Sequence, residues 1–171
     1  MNDQGIPVLY AIVTGSSRAQ EIEELVDLAQ ADGWDVCVVA SPSGLRFIDA
    51  EGLAAKTGHP VRANYKEPGT PDLLPPADGM IVAPLTCNSA SKWAAGISDT
   101  LPLGLLIEAV GKGLPVIAVP YSSPEQMSFP PVQDALRNLA TWGIGIIPGV
   151  QGKPLPLSEA WRAFVTHPRS R

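Results

Sequence analysis

The 171-residue chain has little of what marks metal-binding, secreted or nucleic-acid-binding proteins. Its two cysteines, Cys37 and Cys87, and its two histidines, His59 and His167, show no metal-ligand spacing. No lysine or arginine cluster exceeds two or three residues and the net charge is −5, which argues against a nucleic-acid partner. The apolar run 6–13 is too short to span a membrane and follows no basic segment. We therefore expect a cytoplasmic protein with two free thiols, no bound metal and no membrane partner.

What is present is a globular composition, with 45% hydrophobic and 17% charged residues. The length suits one domain with a full-sized core, and no internal repeat divides it. We expect a single domain over residues 1–171, with a core at about 7–148 and a C-terminal helical extension at 149–171.

Short apolar runs alternate along the chain with longer amphipathic ones. The run 7–14 is apolar almost throughout, as a strand covered on both faces would be. Strands are predicted at 7–14, 35–40, 59–65, 79–83, 114–120 and 145–148. Helices are predicted at 18–32, 45–57, 90–110 with a break near Pro102, 125–142 and 157–165, with Gly33 and Gly58 as stops. This alternation predicts a three-layer α/β/α fold with a parallel, flavodoxin/Rossmann-like doubly wound sheet.

Three predicted strands end in small hydroxyl or amide residues, at 14–17, 41–44 and 84–89. Because the carboxyl ends of parallel strands share one edge, these turns would meet where helices begin, and helix N-termini attract anions. Each turn also reads as an ordinary helix cap, with Ser16 or Ser17 capping the first helix. The first turn lacks the Gly-x-Gly-x-x-Gly spacing of dinucleotide-binding proteins.

Residues after the third turn have two readings each. The amide of Asn88 can pair with a ligand or only brace the turn. Trp93 reads as packing or as a stacking platform, with packing favoured. Asp99 can bind ligand or cap the helical segment that follows it.

Residues 83–101, APLTCNSASKWAAGISDTL, resemble the signature segment of the homo-oligomeric flavin-containing cysteine decarboxylases. That family includes phosphopantothenoylcysteine decarboxylase-like and lantibiotic peptidyl-cysteine decarboxylase-like proteins. Its hexad is usually Pro-Ala-Ser-Ala-Asn-Thr, and residues 84–89 keep its proline and asparagine. The first turn, at 14–17, resembles the phosphate loop of the family.

The resemblance implies FMN, an assembly of trimers or trimer-based shells, and a small-molecule or peptide substrate. Gly15, Ser16 and Ser17 would hold the phosphate, while residues 86–89 line the flavin and Asn88 is the catalytic candidate near the substrate carboxylate. The implied cofactor contacts are Gly15, Ser16, Ser17, Ser41, Ser43, Pro84, Thr86, Cys87, Asn88, Ser89 and Asp99. In the family, flavin oxidises a cysteine thiol to a thioaldehyde and the acid then loses CO₂.

The chain departs from the family at three places. No histidine occurs in 66–74, before the strand at 79–83, and His59 lies further back. Residues 120–127 lack the substrate clamp, and no cysteine follows Cys87. Tyr65, Glu67 and Asp72 are the remaining candidates for handling the thiol proton. Two hypotheses stay open, an FMN-dependent decarboxylase-like enzyme and a non-catalytic FMN-binding module; a prenyl-transfer flavoprotein is disfavoured because few basic residues could hold a prenyl phosphate.

Overall fold

Five parallel strands form one sheet in the computed structural model, which describes residues 1–2 and 4–168. They are β1 (Val8–Val13), β2 (Asp35–Ala40), β3 (Gly79–Leu85), β4 (Val116–Pro120) and β5 (Gly145–Ile146). Their order across the sheet is β2-β1-β3-β4-β5. The strand order reverses between β1 and β3, and doubly wound sheets bind ligands beyond the carboxyl ends of the strands at such a point. The predicted α/β fold is confirmed.

Seven α-helices connect and flank the strands of the described chain. They are α1 (Ile22–Ala31), α2 (Ala50–Thr57), α3 (Cys87–Ala94), α4 (Leu101–Lys112), α5 (Pro124–Ser128), α6 (Pro130–Thr141) and α7 (Leu157–Val165). Short 3-10 turns at Ala19–Glu21 and Gly44–Phe47 follow the loops after β1 and β2. Within residues 1–2 and 4–168, none of these helices has the length and apolarity required to cross a bilayer.

The strands are buried on both faces, which explains their nearly continuous apolar sequences. In β1, alternate residues enter two separate cores: Leu9, Ala11 and Val13 face α1 and α7, while Val8, Tyr10 and Ile12 face α3, α4 and α6. Residues of the C-terminal segment belong to the first core, where Trp161 and Phe164 of α7 pack against Trp34.

Several predicted boundaries shift for identifiable reasons. The strand predicted at 59–65 is reduced to one bridge between Val39 and Arg62, because the chain beyond Ala63 is exposed and no layer buries it. The helix predicted at 90–110 is two helices; α4 begins anew after Thr100 with proline in its first turn. Likewise 125–142 is divided by Pro130, which begins α6. The glycine stops and the closing helix are confirmed.

Candidate functional site

Thr14 connects the end of β1 to the end of β3. Its Oγ1 donates to the carbonyl oxygen of Pro84 at 2.8 Å and accepts from the backbone N–H of Thr86 at 2.9 Å. Its own N–H donates to the same Pro84 carbonyl at 3.2 Å. Thr14 is only 2% exposed, so its hydroxyl is satisfied by these bonds and not by bulk water. The threonine therefore sets the spacing between the first and third predicted turns.

The turn after β2 lies against the turn after β1. A Cβ atom added to Gly15 would stand 2.7 Å from the Cβ of Ser43, closer than real Cβ contacts, so the glycine permits this approach. The backbone N–H of Ser41 donates to the carbonyl of Val13 at 2.9 Å. Together with the Thr14 bonds, these contacts bring the three sequence-predicted turns to one edge of the sheet.

The backbone N–H groups of Gly15, Ser16 and Ser17 donate to no acceptor in the described part of the chain. The side-chain hydroxyls of Ser17 and Ser43 make no hydrogen bond to any described residue. The hydroxyl oxygen of Ser16 accepts one, from the backbone N–H of Arg18 at 3.3 Å, and the hydroxyl donates none within the described residues. Successive free N–H groups ahead of a helical segment form a concave site for an anion. The turn after β1 therefore fits a phosphate group.

Arg18 follows this turn directly and is the basic residue that the sequence analysis did not use. Its Nη1 lies 2.6 Å from Oε1 of Glu21. The hydrogen bond to Glu21, and next the nearby hydroxyl of Tyr121, raise the pKa of Arg18 above its usual range, so it stays cationic. The other carboxylate oxygen of Glu21 accepts from the N–H of Leu155 at 2.7 Å, which ties the turn to the C-terminal segment. The position of Arg18 directly after Ser17 is the sequence signal that could have identified it as part of this turn.

The third turn leads into α3 with Thr86 as the helix cap. Oγ1 of Thr86 accepts from the N–H of Ser89, and the two hydroxyls lie 3.2 Å apart. The N–H of Cys87 donates at 2.9 Å to Oγ of Ser122, a residue after β4 that the sequence analysis did not assign. Asn88 is exposed, and its amide makes no hydrogen bond to any described residue. The bracing role is thus taken by the threonine and serine hydroxyls, and the amide of Asn88 remains available.

Two of the implied contact residues have other partners. Ser41 is buried, and its Oγ accepts from the N–H of Gly44, the first residue of the 3-10 turn, at 2.9 Å. Asp99 forms a 2.5 Å ion pair with Lys92, toward the far end of α3 from Thr86, and it does not cap α4, whose N-cap residue is Thr100. The structure therefore pairs Asp99 with Lys92 and not with a residue of the three turns.

The remaining candidates have other partners or are exposed. His59 pairs with Asp35 at 2.7 Å, at the start of β2, which is the opposite edge of the sheet. Trp93 is 2% exposed within the second core, so the packing reading is confirmed. Tyr65 donates to the carbonyls of residues 98 and 100, and Asp72 pairs with Lys66 at 2.9 Å. Glu67 is exposed.

A parallel sheet in the order β2-β1-β3-β4-β5, with unengaged backbone N–H groups in a turn where that order reverses, defines a flavodoxin-like α/β protein. The family model described as Flavoprotein matches residues 2–160, and the chain belongs to that family. A curated relative from Arabidopsis thaliana, described as "Probable phosphopantothenoylcysteine decarboxylase", is 30% identical over 127 residues. The match covers 70% of this chain and 63% of the relative, so the chain spans less than two thirds of that relative's length.

Solved structures share the fold over nearly the whole chain. "The FMN binding protein AtHal3" has a TM-score of 0.75 at 20% identity, covering 96% of this chain and 98% of that chain. The cypemycin decarboxylase CypD has a TM-score of 0.76 at 20% identity, covering 94% and 92%. "Epidermin biosynthesis protein EpiD from Staphylococcus aureus" has a TM-score of 0.69 at 25% identity, covering 84% and 83%. The chain is thus a flavoprotein that resembles flavin-dependent decarboxylases.

Proposed function

We propose that this protein binds FMN at the carboxyl edge of β1, β2 and β3. The observation that carries the proposal is the set of free N–H groups on Gly15, Ser16 and Ser17. These donors suit a phosphate, and the adjacent Arg18 has its charge compensated by Glu21, so the backbone N–H groups carry the proposed anion contact. Family membership makes the phosphate that of a flavin nucleotide, since the turn lacks the dinucleotide spacing.

Residues 86–89 would lie along the flavin ring in this arrangement. The turn is held by the Thr86–Ser89 and Cys87–Ser122 hydrogen bonds, so its backbone is fixed before ligand arrives. Asn88, whose amide is exposed and unengaged, would donate to the carboxylate of a substrate on the solvent side. A bound flavin would supply a two-electron acceptor for such a substrate.

We propose that the whole chain is one FMN-binding domain that forms homo-oligomers of trimers or trimer-based shells. Leu155 and the aromatic residues of α7 join the same core as β1, which supports one folding unit. Leu45 and Phe47, in the turn after β2, are 37% and 45% exposed beside the proposed flavin site. Such side chains suit a subunit contact near the cofactor. Light scattering on the purified protein measures the assembly, and a monomer at micromolar concentration would contradict it.

The activity we propose is a flavin-dependent decarboxylase-like reaction on a cysteinyl or other small carboxylic substrate. The alternative is a non-catalytic FMN-binding module, and a specific observation favours it. Both histidines lie at the amino edge of the sheet, where His59 pairs with Asp35 and His167 contacts the carbonyl of Gly143. A thiol proton at the carboxyl edge therefore has no histidine of the same chain to accept it.

Cofactor binding is tested on purified protein by its absorbance spectrum and by titration with FMN. Ser16→Ala and Ser17→Ala each remove a hydroxyl beside the phosphate and should weaken FMN binding by about tenfold, the effect of one hydrogen bond to a charged group. Ser98→Ala, at an exposed serine in the connection between α3 and α4, is the matched control and should change nothing. Colourless protein that does not take up added FMN would refute the proposal.

Catalysis is tested separately on the flavin-loaded protein. Under anaerobic conditions, a peptide ending in cysteine should reduce the flavin and release CO₂. Asn88→Ala should lower kcat/KM by at least about tenfold with FMN still bound, while Asn138→Ala on α6 should not. Bound FMN with neither reduction nor CO₂ across a panel of thiol acids would leave the non-catalytic module as the function.

A further inference from the structure

A cavity of about 410 Å³ lies away from the three polar turns, between the strands, α4 and the segment 62–77. Its apolar lining includes Val39 and Met80 from the strands, Leu105 and Ala109 from α4, and Ala77. A volume of this size accommodates a small organic molecule. Tyr10, which also lines the cavity, precedes Thr14 by four residues, so the cavity is about 13 Å along β1 from the proposed flavin turn.

The wall of this cavity is held by Tyr10. Its hydroxyl donates to the carbonyl of Pro75 at 2.8 Å, which anchors the proline-rich segment over the cavity. Burial, followed by the neighbouring Cys37 and Asp72, raises the pKa of Tyr10 to about 12. The hydroxyl thus stays protonated at neutral pH, and its oxygen can still accept a hydrogen bond.

The charged residues around the cavity leave one cation without a carboxylate. Lys66 pairs with Asp72 at 2.9 Å, and Lys112 pairs with Glu108 at 2.5 Å. Arg62 has no carboxylate oxygen within 4 Å anywhere in residues 1–2 and 4–168, and its Nη2 donates only to the carbonyl of residue 64 at 3.0 Å. Three cationic and two anionic side chains line the cavity, so it carries an excess of one positive charge.

We propose that this cavity is a second ligand site, which takes a small monocarboxylate with an apolar body. The apolar lining would bury the body, and the free N–H groups of Arg62 would bind the carboxylate. A phosphate monoester carries close to two negative charges and would need a second unpaired cation, which the paired lysines do not supply. An amine would meet Arg62 with like charge, and a neutral alcohol would leave the guanidinium uncompensated.

The test uses the protein as purified and three probes of equal length, sodium hexanoate, 1-hexanol and hexylamine, with binding measured by saturation-transfer NMR. Hexanoate should bind about tenfold more tightly than either of the others. Arg62→Gln should remove that preference, and Arg62→Lys should keep most of it because it keeps the charge. Arg137→Gln, which removes an exposed positive charge from α6 outside the cavity, is the matched control.

A second variant tests the location. Ala77→Leu places a larger side chain at a half-buried position of the lining and should weaken hexanoate and hexanol alike. Flavin absorbance and far-ultraviolet circular dichroism report whether each variant is folded. The proposal is overturned if hexanol binds as well as hexanoate, if Arg62→Gln has no effect, or if added FMN displaces hexanoate from the protein. Absence of any hexanoate binding, as when a second copy of the chain fills the cavity, overturns it too.

Discussion

Replacing Thr14 by valine tests whether one buried hydroxyl holds the two central turns together. Valine has nearly the same shape but leaves the N–H of Thr86 without an acceptor, while the carbonyl of Pro84 keeps the N–H of Thr14. An orphaned donor, here the part-buried N–H of Thr86, costs about 1–3 kcal/mol and the lost hydroxyl bond about 1 kcal/mol. The added buried methyl offsets about 0.8 kcal/mol. We expect the free energy of unfolding to fall by about 2 kcal/mol.

The matched variant is Thr14→Ser, which keeps the hydroxyl and loses one buried methyl, a cost of about 1 kcal/mol. Burial of apolar area alone predicts the reverse order, because valine is the more apolar residue at a position that is 2% exposed. Urea denaturation of the three proteins measures the difference, and valine should also lower the melting temperature by about 4–8 °C. A valine variant as stable as the wild type, or more stable than the serine variant, would refute the role assigned to Thr14.

Three further predictions concern the packing of two glycines, the buried thiol of Cys37 and the packing of α7. Gly15→Ala should lower FMN affinity, measured by FMN titration, because the added Cβ has no room beside the turn after β2. Gly111→Ala on α4, whose added Cβ meets nothing within 4 Å, should raise the free energy of unfolding by about 0.5–1 kcal/mol, measured by thermal melts. Burial raises the pKa of Cys37 from 9.0 to about 12, so the unfolded chain loses this proton first and stability should fall as pH rises above about 9. Urea titrations at pH 8 and 10.5 should show that decline, and it should be shallower in Cys37→Ala. Phe164→Ala should cost about 3–5 kcal/mol in chemical denaturation and Val165→Ala, on the exposed side of α7, far less; equal small losses would mean that the C-terminal helix is dispensable.

The elements that the sequence predicted well are those where one local signal dominates. The strand at 35–40 and the helix at 157–165 have the predicted bounds, because a bounded apolar run and an uninterrupted helical period leave one choice. The strand at 59–65 failed because strand formation needs a neighbouring layer to bury it, and the chain after Ala63 has none. The break near Pro102 was predicted from the proline. The break at Pro130, where a proline begins a new helix, was not predicted.

For the site, the residue types and their places at strand ends were readable in advance, since small hydroxyl residues after apolar runs are a local pattern. The sequence did not show which of these hydroxyls and N–H groups lack a hydrogen-bond partner. Ser41 and Ser89 are engaged within their own turns, whereas the N–H groups of Gly15 to Ser17 are unengaged. Asp99 looked equivalent to its neighbours in the signature segment, and only the path of the chain after α3 placed it against Lys92.

The sequence by itself determined the parallel α/β class, the three polar turns and the likeness to flavin-containing decarboxylases, because these depend on periodicity and on contiguous residues. Tertiary structure alone decided the partners that are distant in the chain. It set Thr14 against Pro84, Cys87 against Ser122, and Arg62 beside a cavity under a segment anchored by Tyr10. Such contacts arise from strand order and crossover paths, which bring together residues that no local pattern relates.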